Sequence, residues 1–382
     1  MARLGLGPEW TCLFANDLSP QKAESYRTNF PPADEFVEGD IFDLQVSNLP
    51  PGADMAWASF PCQDLSLAGN GQGLNGLRSG SFWGFWRLIQ GLTDEGRPMP
   101  LVVVENVVGT ISANKGQDFL VLLKTLVDTG YRVGPMMIDA KYFVPQSRPR
   151  LFIVAVHNSF NLPVVLEQRH PDSRWHPRGI TKAQLTMPNE IKDKWIWWNM
   201  PYPASRSTNL LDVIEGDPVG VRWHSKQETD RLLELMSSTH LDKVKKAQQS
   251  GSLIVGTIYR RIRTSNGEKR QRAEIRIDDL SGCLRKGSGG SSKQFIMFID
   301  GENIRSRLLS PREAARLMGI PSEYILPSNY GETYHLMGDG LVVPVVSWIS
   351  NTILLPALKP NWTAEESFRT KSDEPQIMLP EN

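Results

Sequence analysis

PLVVVENVVG, residues 100–109, is continuously aliphatic from Leu101 to Val104 and breaks at Glu105 and Asn106. An unbroken apolar run of this length reads as a strand buried on both faces. A carboxylate and an amide at its end lie where open α/β sheets bind their ligands. Working outward, ADMAWASF (53–60) reads as a second buried strand, and TCLFAND (11–17) as a third that ends on an acid. SPQKAESYRTNF (19–30) reads as a helix with Ser19 as N-cap and Pro20 in the first helical position. Downstream, GQDFLVLLKTLVDTG (116–130) is an amphipathic helix closed by Gly130, and YRVGPMMIDA (131–140) and RLFIVAV (150–156) are further strands. Strands alternating with helices predict an α/β body with a mostly parallel sheet covered on both faces.

After about residue 157 the texture changes. Residues 160–225 are rich in Pro, Trp and Asn, with Trp195, Trp197 and Trp198 clustered, and are expected to core a smaller, irregular module. A helical stretch follows near 225–249, then a basic Gly/Ser-rich segment containing GSGGSS (287–292). SPREAARLMGI (310–320) reads as a helix with a Ser310/Glu313 capping box. The last 20 residues read as a loose polar tail.

Of the chain's 382 residues, 40% are hydrophobic and 22% charged, an ordinary globular balance. No apolar run reads as a membrane span and the N-terminus has no signal-peptide core, so a cytoplasmic protein is expected, with no membrane partner. Three cysteines (Cys12, Cys62 and Cys283) and six scattered histidines suggest neither a disulfide framework nor a metal site. The net charge is zero but unevenly spread. Residues 1–60 hold nine acids and three bases, a net of −6; residues 257–293 hold ten bases and four acids, a net of +6. That basic block suits a polyanion, and equally suits a solvated surface when taken alone.

ASFPCQDLSLAG (58–69) sets Cys62 just after a buried strand, a place for a nucleophile, although a lone cysteine is more often buried and inert. YFVPQSRPRLFIVAV (142–156) sets Gln146, Arg148 and Arg150 just before another strand, where alternation points them to one side. Two arginines there suit an anionic partner or are merely surface residues. The three segments taken together narrow the choice. PCQ, ENV 43 residues later and QxRxR 41 residues after that follow the order found in DNA cytosine-5 methyltransferases, which the chain resembles over most of its length. FANDLSPQKAESYRTNF, EGDIF (38–42), GLRSGSFWGFWRLI (76–89), RLLSPREAARLMGIP (307–321) and HLMGDGLVVPVVSWI (335–349) resemble further family segments in the same order.

The resemblance implies a Rossmann-like S-adenosylmethionine-dependent methyltransferase domain with a smaller target-recognition domain. It implies a catalytic and cofactor-binding part over 1–158, target recognition over 159–305, a return to the first domain over 306–360 and a flexible tail over 361–382. Cys62 would attack C6 of a flipped cytosine, Glu105 would hold the base, and Arg148 and Arg150 would position both. S-adenosylmethionine would lie against Asp17, Leu18, Asp40, Ile41, Pro61 and Asp339. DNA would meet Gln63, Ser66, Gln146, Arg260, Arg261, Arg263 and Arg285. The implied partners are duplex DNA and, for the modification half of a restriction system, a cognate endonuclease; a monomer is expected. Two departures stand out. The family's opening strand and glycine loop, roughly DLFAGxGG, has no match, so an opened sheet is expected, from an internal start or a degenerate relative that binds DNA without methylating it. Asp339–Gly340 stands where Asn–Ala is usual.

Overall fold

The computed structural model describes residues 1–60, 80–265, 268–285 and 293–359. In the first half, β1 (Ala15–Asp17) pairs in parallel with β2 (Phe36–Glu38). β3 (Met55–Ser59), β4 (Leu101–Val107), β5 (Tyr131–Asp139) and β6 (Pro149–His157) form a second sheet in the order β3-β4-β6-β5. Among the described residues the two sheets are not hydrogen-bonded to each other. The four-stranded sheet is not mostly parallel. β3 and β4 are parallel, but β6 runs antiparallel to both β4 and β5. The connection from β5 to β6, residues 140–148, is too short for the crossover that parallel strands require.

The predicted helices form close to the expected places: α2 spans Pro20–Asn29, α3 Ser81–Asp94 and α4 Gln117–Asp128, and a short α1, Ala2–Leu6, precedes them without having been predicted. Ser19 caps α2 through a bond from the Lys22 amide, and Gly130 takes the positive φ of 93° that ends the α4 turn. Val102 and Val104 face α3 and α4 in one apolar cluster, while Leu101 and Val103 face the opposite layer. A strand buried on both sides needs its continuous apolar run.

The tryptophans do not core the second module. Residues 194–198 lie along β5: the Val133 amide bonds the Lys194 carbonyl at 2.8 Å, and the Ile196 amide returns to the Val133 carbonyl at 2.8 Å. The Trp198 indole donates to the Gly134 carbonyl at 3.0 Å; a Cβ at Gly134 would lie 2.0 Å from that indole nitrogen, so glycine is required there. Trp195 and Trp198 are therefore part of the α/β body, where they cover an open strand edge that water would otherwise have to satisfy.

The expected irregular module contains a regular antiparallel sheet. β7 (Ile254–Ser265), β8 (Glu268–Arg276), β9 (Gln294–Asp300) and β10 (Asn303–Leu308) lie in the order β10-β9-β7-β8. α5 (Lys226–Glu234) and α6 (Ser238–Gln248) cover one face, packing Leu232 and Val244 against Ile258, Ala273 and Ile275.

The chain then returns to the body through α7 (Pro311–Leu317), whose Ser310/Glu313 capping box forms as predicted. Glu313 also grips Arg307, with two bonds at 2.6 and 2.8 Å, both side chains being fully buried. Replacing Arg307 by Met should cost about 3–5 kcal/mol in chemical denaturation, because it strands the Glu313 charge; a loss below 1 kcal/mol would refute this. α8 (Tyr330–Asp339) and α9 (Val343–Ile349) follow. Contrary to the sequence reading, 330–357 is long and apolar enough to cross a membrane, yet half of its most apolar window is buried. Val346, Ile349, Ile353 and Leu354 lie in the protein core, and Gly5 of α1 seats where a Cβ would come within 2.4 Å of Val346.

Candidate active site

Glu105 ends the buried run of β4, in register with Ser59 of β3 and Phe152 of β6. Only 8% of it is exposed. Burial pushes its carboxyl above the ordinary range; the guanidinium charges of Arg150 and Arg148 and a bond from Ser59 oppose the rise without cancelling it. The Arg150 Nε lies 3.3 Å from the carboxylate. Asn106 points to the opposite face. Its amide nitrogen donates to the Phe60 carbonyl at 3.1 Å, and its oxygen accepts from the Val107 amide and the Thr110 hydroxyl. The end of β4 therefore fixes Phe60, two positions before Cys62. Cys62, Pro61, Gln63 and Ser66 lie outside the described residues.

Arg148 and Gln146 do not sit as alternation implied, because β6 begins only at Pro149 and the pattern does not extend back through the connector. The Arg148 guanidinium, 3% exposed, donates to the carbonyls of Leu284, Gly338 and Gly340 at 2.7–2.8 Å and to the Cys283 sulfur at 3.3 Å. Burial, with Arg150 alongside, lowers it to about 10, so it stays charged at neutral pH. Gln146, expected at the DNA, is fully buried: its oxygen accepts from the Leu284 amide and its nitrogen donates to the Leu317 carbonyl. Both side chains thus join segment 281–284 to the connector that leads into β6, a clasp the sequence did not disclose. Arg148 and Arg150 also line a cleft with Ile138, Phe152, Leu341 and Val345.

The expected cofactor residues gather at the carboxyl ends of β1 and β2. Asp17 accepts from the Ser19 amide. Lys22 Nζ lies 3.5 Å from Asp17 and 3.6 Å from Asp339, drawing those two carboxylates together. Asp40 bonds the Phe42 amide at 3.0 Å, and Arg87 holds the carbonyls of Ile41, Phe42 and Leu44. Leu18 is 66% exposed. Carboxylates at adjacent strand ends beside an uncovered leucine and the half-buried Ile41 suit a ribose with an apolar ring. Lys22 and Arg87 escaped the sequence reading.

The basic block divides. Cross-strand partners share a face, so Arg261 and Arg272, and Arg263 and Arg270, lie together with Tyr259 and Glu274. Arg260 points to the other face and packs 5.0 Å over the Phe295 ring, where burial lowers its pKa. Arg285 is exposed at the end of the clasped segment.

This architecture is that of the S-adenosylmethionine-dependent methyltransferases. The chain superposes on a DNMT2 from Spodoptera frugiperda with a TM-score of 0.57 at 18% identity, covering 94% of this chain and 95% of that one. It superposes on the S. pombe Dnmt2 methyltransferase with a TM-score of 0.51 at 16% identity, covering 89% of each. Within that class the chain belongs to the C-5 cytosine-specific DNA methylase family, whose model matches residues 2–354. It is 27% identical over 351 residues to the Type II methyltransferase M.MspI of Moraxella sp, covering 91% of this chain and 66% of that protein. It is 24% identical over 361 residues to M.HpaII of Haemophilus parainfluenzae, covering 90% and 83%. The family's methyl donor is S-adenosylmethionine.

Proposed function

We propose that this chain methylates C5 of a cytosine flipped out of duplex DNA, with Cys62 as the nucleophile, as the modification enzyme of a restriction system and as a monomer. The reading rests above all on Glu105: a buried carboxyl raised by its surroundings, held by Arg150, one strand away from the chain that leads into Cys62. A carboxyl that keeps its proton more readily than usual can donate it to N3 of a bound cytosine. The Cys62 thiolate then bonds C6, and the electron pair displaced from the C5–C6 double bond makes C5 nucleophilic. Asp17, Asp40 and their neighbours would hold S-adenosylmethionine, whose electrophilic methyl group would pass to C5 with the sulfur leaving as the neutral thioether. Loss of the C5 proton to a base returns the electron pair to C5–C6 and expels Cys62. A stacked base cannot reach Glu105, so the nucleotide must leave the helix at a cost of about a few kcal/mol. Arg150 orients Glu105, while Arg148 acts through the clasp.

The test is transfer of a labelled methyl group from S-adenosylmethionine to mixed-sequence duplex DNA and to RNA. Label entering duplex DNA alone is expected. Label entering RNA alone, or neither, would contradict the reading. Docking on DNA has its own check. Replacing Arg263 and Arg270 by Gln should weaken binding and reduce the slope of log affinity against log salt by about two. An unchanged slope would put this face of the hairpin away from the phosphates.

A further inference from the structure

β9 supports β7 only from Ile254 to Tyr259; beyond that, β7 pairs with β8 alone. The outer hairpin is therefore a two-stranded ribbon. On one of its faces Arg261 lies directly across from Arg272, and Arg263 directly across from Arg270. Like charges placed directly opposite destabilise a strand pair. Two such pairs side by side, with Glu274 bonded to Arg263 at 2.6 Å and 3.8 Å from Arg261, make a surface that an anion would relieve.

The orientation of that face follows from what covers its base. Tyr259, on the same face, is the nearest neighbour of Gly282, where a Cβ would lie 3.4 Å from the Tyr259 ring. The Thr257 hydroxyl bonds the Leu280 carbonyl at 3.1 Å. Residues 280–284 are the segment clasped by Gln146 and Arg148 beside Glu105. The arginine face therefore opens on the catalytic side, while α5 and α6 back the other. A duplex that delivers a base to Glu105 would lie against these arginines.

Among them Arg261 is the one laid over an aromatic ring. Its guanidinium stacks 4.4 Å over the Tyr259 ring, and Glu274, itself 13% exposed at the side chain, lies behind it. Arg263 and Arg270, nearer the ribbon tip, are exposed. A guanidinium laid against a ring keeps its fork in one plane and can discriminate by geometry, whereas the more exposed arginines at the tip suit phosphates. The major groove admits a two-stranded β-ribbon, and an arginine fork matches O6 and N7 of guanine there. Resting on the DNA-methylating reading above, we infer that Arg261 is a specificity-determining residue: the β7–β8 ribbon enters the major groove and Arg261 reads a guanine of the target site, positioned by Tyr259 and Glu274.

The experiment selects bound duplexes from a randomised library with the full chain and with its variants, and sequences them. Binding is scored without turnover, so methyl transfer on the same library judges the catalytic reading separately. Wild-type protein should enrich a motif containing a guanine. Arg261→Lys keeps the charge but not the fork, and Arg261→Gln removes both. Each should lose preference at that one guanine by about 5- to 150-fold, with the other positions kept. Arg270→Gln should weaken all sequences alike. The inference is overturned if Arg261→Lys keeps the whole wild-type motif, if the Arg261 variants weaken every sequence uniformly, or if the wild-type motif has no guanine.

Discussion

Cys62→Ala is expected to lose methyl transfer by about 10⁴-fold or more while holding duplex DNA with nearly wild-type affinity. In the proposed chemistry the thiolate is the atom that makes C5 nucleophilic, and alanine at this position offers no sulfur to bond C6. In the proposed reading affinity comes mainly from the arginine face of β7–β8 and the segment 281–285, which the substitution leaves untouched. Transfer assays and binding titrations on the same preparation separate the two quantities. Turnover near the wild-type rate would remove Cys62 from the reaction; a parallel loss of binding would mean that the substitution damaged more than the nucleophile.

Glu105→Gln should lower transfer by about 10²- to 10⁴-fold without lowering stability at pH 8. The sign follows from burial. The carboxyl's folded-state pKa lies above its value in the unfolded chain, which is about 4.3. Folding therefore favours the protonated form, and stability falls as pH rises from the unfolded value through the folded one. Glutamine keeps the hydrogen-bonding shape and carries no ionisable proton, so this decline disappears. The variant should melt at or above the wild type at pH 8, with the difference closing at acid pH. A variant that melts lower at pH 8 would show that the ionised Glu105–Arg150 pair is a net source of stability. A variant with full activity would deny Glu105 its role as proton donor.

The sequence made some of this legible and hid the rest for physical reasons. Leu101–Val104 announced a doubly buried strand because only a continuous apolar run survives there, and Ser19, Gly130 and the Ser310/Glu313 box marked helix ends by local chemistry. The direction of β6 depends on chain reach through 140–148, which residue pattern alone does not express. Trp195 and Trp198 looked like the core of a second module because they are far along the chain from β5; the pairing that places them is long-range. β7 and β8 were not recognised as strands because their outer parts carry arginines on both faces, where no core imposes alternation. Within the site, Glu105 and Arg150 were visible as residues and come together as pictured. Gln146 and Arg148 instead reach carbonyl and amide groups of residues 281–284, 317 and 338–340, and no side-chain pattern advertises a backbone partner.

The central claim is a covalent bond between Cys62 and C6 of the target cytosine. A duplex library carrying 5-fluorocytosine tests it directly, since fluorine at C5 cannot leave as a proton does, and elimination of the thiolate is blocked once the methyl group has transferred. Incubated with S-adenosylmethionine and this duplex, the protein should form a complex that survives denaturing electrophoresis and maps by peptide mass to Cys62. No adduct from wild-type protein that demonstrably binds the duplex, or an adduct that persists in Cys62→Ala, would contradict the account.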